Sequence, residues 1–320
     1  MPDKLLAQAV PLTPALEKTA ASAERYLDAQ YSAATRRAYA ADWQAFHAFC
    51  ANHRLVTLPA TPQTVALFLT SQAEEGLQPS TLQRRLAAVR LAHRAAGHES
   101  PTGSELVKGI MRGVRRTHGT ASLQKAPLMA DQLKALVDGL DLATAAGVRD
   151  RALLLVGFAA ALRRSELAAL AWEDIEWVPQ GMRLHIRRSK TDQEGSGSVV
   201  AVPHGGDYCP VVALRAWRGF LGVDAGPVFR GLYRGGTPRP TGLSCYAIAL
   251  VVQRHASRLG WETEQYAAHS LRSGWATSAA LNGASLAKMR EVTRHKSLQT
   301  LQIYIRRAEE FTNHAGEGLL

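Results

Sequence analysis

Between residues 269 and 304 the chain carries two imidazoles, several guanidiniums and a phenol in close order: His269-Ser-Leu-Arg272, Arg294-His295-Lys296-Ser297, and Gln302-Ile-Tyr304. These groups suit phosphate chemistry. Arginine holds charged oxygens through paired N–H bonds, imidazole moves protons near neutral pH, and a phenol can attack as a nucleophile. His269 and Arg272 are three residues apart at the start of a predicted helix, so they face one way. Together with the open N–H groups of that helix end they can hold one anion. His-x-x-Arg by itself occurs often by chance, so its meaning depends on what the rest of the chain brings to it.

The chain has 320 residues, enough for about two domains. An apolar share of 46% can fill real cores. Lys plus Arg number 38 against 27 Asp plus Glu, a net charge of +11 that favours a polyanionic partner, nucleic acid first. Cys50, Cys209 and Cys245 are odd in number and scattered, which excludes a disulfide framework and suits a reducing interior. The longest apolar run, residues 152–162, lies between Arg151 and Arg163 and is too short to span a bilayer. The N-terminus, broken by Pro11 and Pro14, is a poor secretory signal. These features predict a cytoplasmic, nucleoid-associated protein with no membrane segment.

Residues 1–18 form a flexible leader with Pro2, Pro11 and Pro14 and no sustained period. Residues 19–118 form a helical domain. Ser32 precedes a helix with Tyr39, Trp43, Phe46 and Cys50 on one stripe, Thr61-Pro62 opens a second, and Pro79-Ser-Thr81 a third with Leu82, Leu86 and Val89 inward. Residues 79–118 hold eight Lys or Arg against Glu99 and Glu105, and Arg84, Arg85, Arg90, Arg94, Arg112, Arg115 and Arg116 are the expected contacts to a duplex backbone. Residues 119–126 form a linker, and 127–320 a second domain able to close with the first around a duplex. There a buried helix leads to Leu162-Arg-Arg-Ser-Glu-Leu167, and three short antiparallel strands follow around residues 174–178, 183–187 and 199–202. Helices return at residues 210–221, 244–259 and from 270 on. His47, Cys50 and His53 have a three-residue rhythm, but no fourth ligand is near and Cys50 falls on the apolar stripe, so no metal is expected.

The Leu162-Arg163-Arg164-Ser165-Glu166-Leu167 segment, His269-x-x-Arg272, His295, and Tyr304 nine residues beyond it resemble the tyrosine recombinase (phage integrase) family in order and spacing. The likeness covers almost the whole chain. Thr35-Arg-Arg-Ala-Tyr39, Phe46-x-x-Phe-Cys50 and Ser80-Thr-Leu-Gln-Arg-Arg-Leu-Ala-Ala-Val89 resemble the family's N-terminal half, with a layout similar to its Cre-like members. The implied fold is mainly α with a small antiparallel β-sheet: a helical, SAM-like core-binding domain and an α+β integrase catalytic domain.

The resemblance also implies roles. Arg163 and Arg272 hold the phosphate, with Arg164 the neighbour that could take the first place. Lys190, on the hairpin, protonates the departing 5′ oxygen, unless Arg187 or Arg188 approaches the backbone instead. His269 takes the Tyr304 proton, His295 hydrogen-bonds the scissile phosphate, and Glu166 supports an Arg or His. Tyr304 is the nucleophile that forms a 3′-phosphotyrosine. The family's Leu-Gly-His is here Thr293-Arg294-His295, a departure that keeps the His and loses the Gly. The implied activity is site-specific recombination or integration on double-stranded DNA with specific recombination sites, by a homotetramer, for a mobile element, with no cofactor or metal. Phe311 or Leu319-Leu320 would dock on a neighbouring subunit. Two rival readings share the scaffold: a type IB topoisomerase or telomere resolvase, and a non-catalytic DNA-binding regulator.

Overall fold

In the computed structural model, which describes residues 13–120, 125–187, 197–295 and 297–308, the chain divides into two compact units, 1–123 and 124–320. The first unit is helical: α1 (Pro14–Ala29), α2 (Ala33–Asn52), α3 (Pro62–Glu74), α4 (Pro79–Ala95) and α5 (Glu105–His118). Each start has a local cause. Ser32 accepts the Thr35 N–H at 3.1 Å, Thr61 that of Thr64 at 3.2 Å with Pro62 in the first turn, and Ser104 that of Val107 at 3.3 Å. α1 begins at Pro14, earlier than residue 18, because proline is well accommodated in a first turn where no N–H is needed.

The core of the first unit is built on Phe46, Phe68, Leu69, Leu82 and Val89, all fully or almost fully buried, with Cys50 among them. Phe46 and Phe68 meet edge to face at 5.1 Å. Two polar ties cross this core. Buried Asp42 of α2 accepts from Arg84 of α4 at 2.7 and 3.0 Å. His93 uses both ring nitrogens, one on the Val89 carbonyl at 2.8 Å and one accepting the Ala60 N–H at 2.9 Å. Burial lowers its proton affinity, against the pull of the Val89 carbonyl, so the ring is a neutral core histidine.

The second unit begins with α6 (Ala130–Asp138), α7 (Ala145–Ala159) and the short α8 (Arg164–Ala169). A three-stranded antiparallel sheet follows in the order β1 (Ile175–Val178), β2 (Gly181–Ile186), β3 (Ser198–Pro203). Alternation decides its faces: Met182, Leu184 and Ile186 point into the core, and Arg183 and His185 point out beside Glu176. After α9 (Pro210–Leu221) comes a second hairpin, β4 (Arg230–Leu232) with β5 (Pro238–Gly242), then α10 (Cys245–Arg258), α11 (Ala268–Leu281), α12 (Leu286–Thr293) and α13 (Leu298–Ala308). The sequence reading assigns no element between residues 222 and 243, so this hairpin is absent from it. In a two-stranded, irregularly registered ribbon proline is tolerated, because an edge need not donate every N–H.

α7 is the buried axis of this unit, packed on α9 and α11. Trp217 of α9 is fully buried with its indole N–H on the Val228 carbonyl at 2.7 Å. α11 lies so close to the segment before α6 that a Cβ on Gly274 would stand 1.7 Å from the Leu128 carbonyl oxygen. That approach is closed by the Leu128 N–H on the Ser270 carbonyl at 2.9 Å, and it fixes the helix that carries His269 and Arg272. No helix among the described residues is long and apolar enough to cross a membrane.

Candidate active site

Glu166 is the centre of the site. It lies in the first turn of α8, and its carboxylate reaches back to accept the Arg163 N–H at 2.8 Å, which closes that helix end. The same carboxylate accepts from Arg163 Nη1 at 2.7 Å and from Arg294 Nη2 at 2.6 Å. Burial alone would raise its pKa, but Arg294 and Arg163 overcome that and hold the carboxyl below its usual range. Arg163 also donates to the Arg294 carbonyl at 3.4 Å.

Arg272 rises from α11 into the same place and is 1% exposed. Its Nη1 donates to the Ala161 carbonyl at 2.6 Å and its Nη2 to the Thr293 carbonyl. Burial, with Arg163 and Arg294 adding repulsion, pushes the guanidinium down to about 9, and Glu166 and Tyr304 only partly oppose this. Near neutral pH it stays charged. Among the described residues, three guanidiniums therefore stand near one carboxylate, which bonds two of them, in a place of low solvent access, an excess of positive charge that an anion would relieve.

His295 follows directly. Its Nδ1 lies 2.9 Å from Thr293 Oγ1. The single Thr293 hydroxyl proton goes to the Met289 carbonyl at 2.7 Å, so the hydroxyl oxygen must accept and His295 must carry its proton on Nδ1. Nε2 is then left with a lone pair. Burial and the surrounding Arg272, Arg163, His269 and Arg294 push this imidazole down to about 3, so it is neutral at physiological pH. Tyr304 of α13 packs beside Ala276, Met289 and Leu301, with its ring 6.3 Å from that of His295. Its charge interaction with Arg272 and that of His269 with His295 put all four groups in one neighbourhood.

Arg163, Glu166, His269, Arg272, His295 and Tyr304 thus come from α8, α11, α13 and the residues beside them to one site. Arg163 is 14% exposed at its side chain, whereas Arg164 is on the surface. Lys190 and Arg188 lie outside the described residues, as do Phe311 and the final leucines. Arg187, at the end of β2, is ion-paired with buried Asp174.

Of the arginines expected on a duplex, Arg84 is held by Asp42, and Arg85 is tucked over the Phe68 ring at 5.6 Å. Arg90 donates to Thr102 at 3.2 Å and Arg115 to Gln83 at 2.8 Å. Arg112 lies 3.8 Å from Glu105, and Arg94 and Arg116 are exposed. Two site residues were not named from the sequence as parts of the site: Thr293 and Arg294. Their signal was the departure from Leu-Gly before the histidine.

Residues 24–100 match the phage integrase N-terminal SAM-like domain. An integrase/recombinase of Selenomonas ruminantium, described as a XerD homolog, is 34% identical over 304 residues, 93% of this chain and 89% of its own. The Cre recombinase of Escherichia phage P1 is 25% identical over 285 residues, 83% of this chain and 81% of its own. Among solved structures, the XerH site-specific recombinase bound to difH substrate, a pre-cleavage complex, superposes with a TM-score of 0.60 at 19% identity, covering 86% of this chain and 77% of its own. A lambda integrase dimer bound to a COC′ core site gives a TM-score of 0.60 at 17% identity, covering 89% and 91%. The two structures share the fold with this chain.

Proposed function

The chain belongs to the tyrosine recombinase family, and from that premise we propose that it is a site-specific DNA recombinase whose strand transfer runs through Tyr304. It is an enzyme that cleaves and rejoins DNA. The observation that carries the site assignment is the cluster of Arg163, Arg272 and Arg294 around the carboxylate of Glu166, with His295 and Tyr304 beside it.

The chemistry follows from charge and protons. A phosphodiester bears one negative charge, and more builds on its non-bridging oxygens as a fifth oxygen adds to phosphorus. Arg163 and Arg272 meet that charge, since a preorganised cation stabilises the crowded state more than the ground state. The Tyr304 oxygen attacks phosphorus as its proton passes to His269. The 5′ oxygen leaves as a hydroxyl, with Lys190 supplying the proton. A 3′-phosphotyrosine remains, and attack by a 5′ hydroxyl reverses each step, so rejoining needs no external energy source. His295, once the bound phosphate has cancelled part of the surrounding charge, regains a proton and donates to a phosphate oxygen.

The partner is duplex DNA carrying a specific site, engaged by exposed arginines of the first unit as well as by the catalytic unit. Four copies act together, and the protein works in the cytoplasm on the cell's DNA. Residues 119–126 serve as the link between the domains 19–118 and 127–320.

The test is Tyr304→Phe, scored on duplexes carrying sequence from the flanks of the protein's own gene. The unaltered chain should form a covalent protein–DNA species that survives denaturation, and Tyr304→Phe should bind the duplex and form none. A persisting adduct contradicts the assignment. Relaxation of supercoiled plasmid lacking any special site would move the reading to a topoisomerase.

A further inference from the structure

We propose that Arg294 is a positioning residue of the strand-transfer site: it holds Glu166 against Arg163 and braces the two chain ends that supply the acceptors of Arg272. The inference rests on the function proposed above and names how this chain orders that site.

The backbone of Arg294 is left-handed, φ 56° and ψ 40°, at the end of α12, with its N–H on the Arg290 carbonyl at 2.8 Å. Glycine occupies such a position without strain and a residue with a side chain does not. What the strain brings is the side chain, which is 9% exposed and turned inward. Nη2 takes Glu166 Oε2 at 2.6 Å, and Nη1 takes the Val292 carbonyl at 2.7 Å and the Ala160 carbonyl at 3.4 Å.

These contacts interlock with those of the phosphate-binding arginines. Glu166 Oε1 is on Arg163, and Oε2 is shared between the Arg163 N–H and Arg294, so the carboxylate is gripped from both sides and cannot turn away. The carbonyl of Arg294 in turn receives Arg163 Nη2 at 3.4 Å. Arg272 bonds the carbonyls of Ala161 and Thr293, and Arg294 those of Ala160 and Val292, the residue before each. One arginine thus ties the end of α7 to the end of α12 directly beside the tie made by the other. Ala161 is itself left-handed at φ 44°, so both ends leave their helices through strained turns that need holding.

Arg294 acts through its neighbours. Its Nε is buried and makes no hydrogen bond among the described residues, and both terminal nitrogens are on protein oxygens. A side chain so placed orients groups that meet the phosphate, as the partners of metal ligands orient those ligands.

The experiment uses the full chain and a duplex recovered from a random-sequence pool by covalent capture on the unaltered protein. Arg294→Gly, Arg294→Lys, Glu166→Gln and the Arg294→Gly/Glu166→Gln pair are compared. Single-turnover formation of the covalent species at saturating duplex should slow about 10- to 100-fold in Arg294→Gly. Duplex affinity should stay within about twofold, and the double variant within about twofold of Glu166→Gln alone, because the two residues act as one unit. Arg294→Lys should recover part of the rate, having the charge without the planar fork. A melting temperature no lower than that of the unaltered chain excludes a folding effect, and if Arg294→Gly does not fold, Arg294→Lys takes its place in the cycle under the same criteria. An unchanged rate, or rate losses that multiply in the double variant, overturns the proposal. Failure of the unaltered chain to capture any duplex overturns the function on which it rests, and the inference with it.

Discussion

His295 is neutral in the free protein because burial and four cationic or ionisable neighbours disfavour its proton. Its value is pushed down to about 3, well below that of an ordinary imidazole near 6.5. The native site favours the neutral ring, a contribution fully present above pH 6.5 and lost progressively as pH falls from there toward 3. A bound divalent oxyanion cancels part of the repulsion from Arg272, Arg163 and Arg294, so it should raise the ring's proton affinity. Nitrogen NMR of His295, titrated with and without sulfate, checks this. The account expects Nδ1 protonated and Nε2 bare in the free protein, with a titration midpoint that moves up when sulfate is present. A midpoint indifferent to sulfate, or a proton on Nε2 in the free state, contradicts the anion-seeking description of the site.

Within the basic segment the arginines divide by partner, and both kinds occur on α4 and on α5. Arg84 is bound by buried Asp42, and among the described residues its loss leaves that carboxylate Arg85 at 3.7 Å. Arg84→Ala should therefore cost about 1–3 kcal/mol of stability, read as a lower unfolding midpoint. Arg94 is exposed, and Arg94→Ala should stay within about 0.5 kcal/mol of the unaltered protein. If Arg94 meets a phosphate, its loss should lower the slope of log affinity against log salt by about one. The reverse pattern would mean that the segment's arginines serve DNA and folding in other proportions than their contacts indicate.

Much of this architecture was legible in the chain. α9 spans Pro210–Leu221, the bounds read from the sequence, and Ser32 and Thr61 cap helices by side-chain chemistry that depends only on neighbours. The β4–β5 hairpin was not legible, because its prolines are tolerable only once its edge position is known. Nor was the use made of Arg294. Composition announces a lost glycine, but only the fold shows a left-handed arginine bent back onto Glu166.

At the scale of the whole molecule, a chain of net charge +11 is built as two units, each with its own hydrophobic core. The excess charge draws it to DNA with strong salt dependence, and the catalytic unit concentrates part of that excess in one buried cluster. Order and spacing along the sequence bring Arg163, Arg272, His295 and Tyr304 into that cluster from elements far apart in the chain, and this convergence is what a strand-transfer reaction requires. In the proposed reaction Tyr304 becomes covalently joined to DNA. The most direct measurement is mass spectrometry of peptides from the trapped protein–DNA species after nuclease and protease digestion. The account predicts a nucleotide attached through its 3′ phosphate to the peptide containing Tyr304. A nucleotide on any other residue, or cleaved DNA with no protein attached at either end, would contradict it.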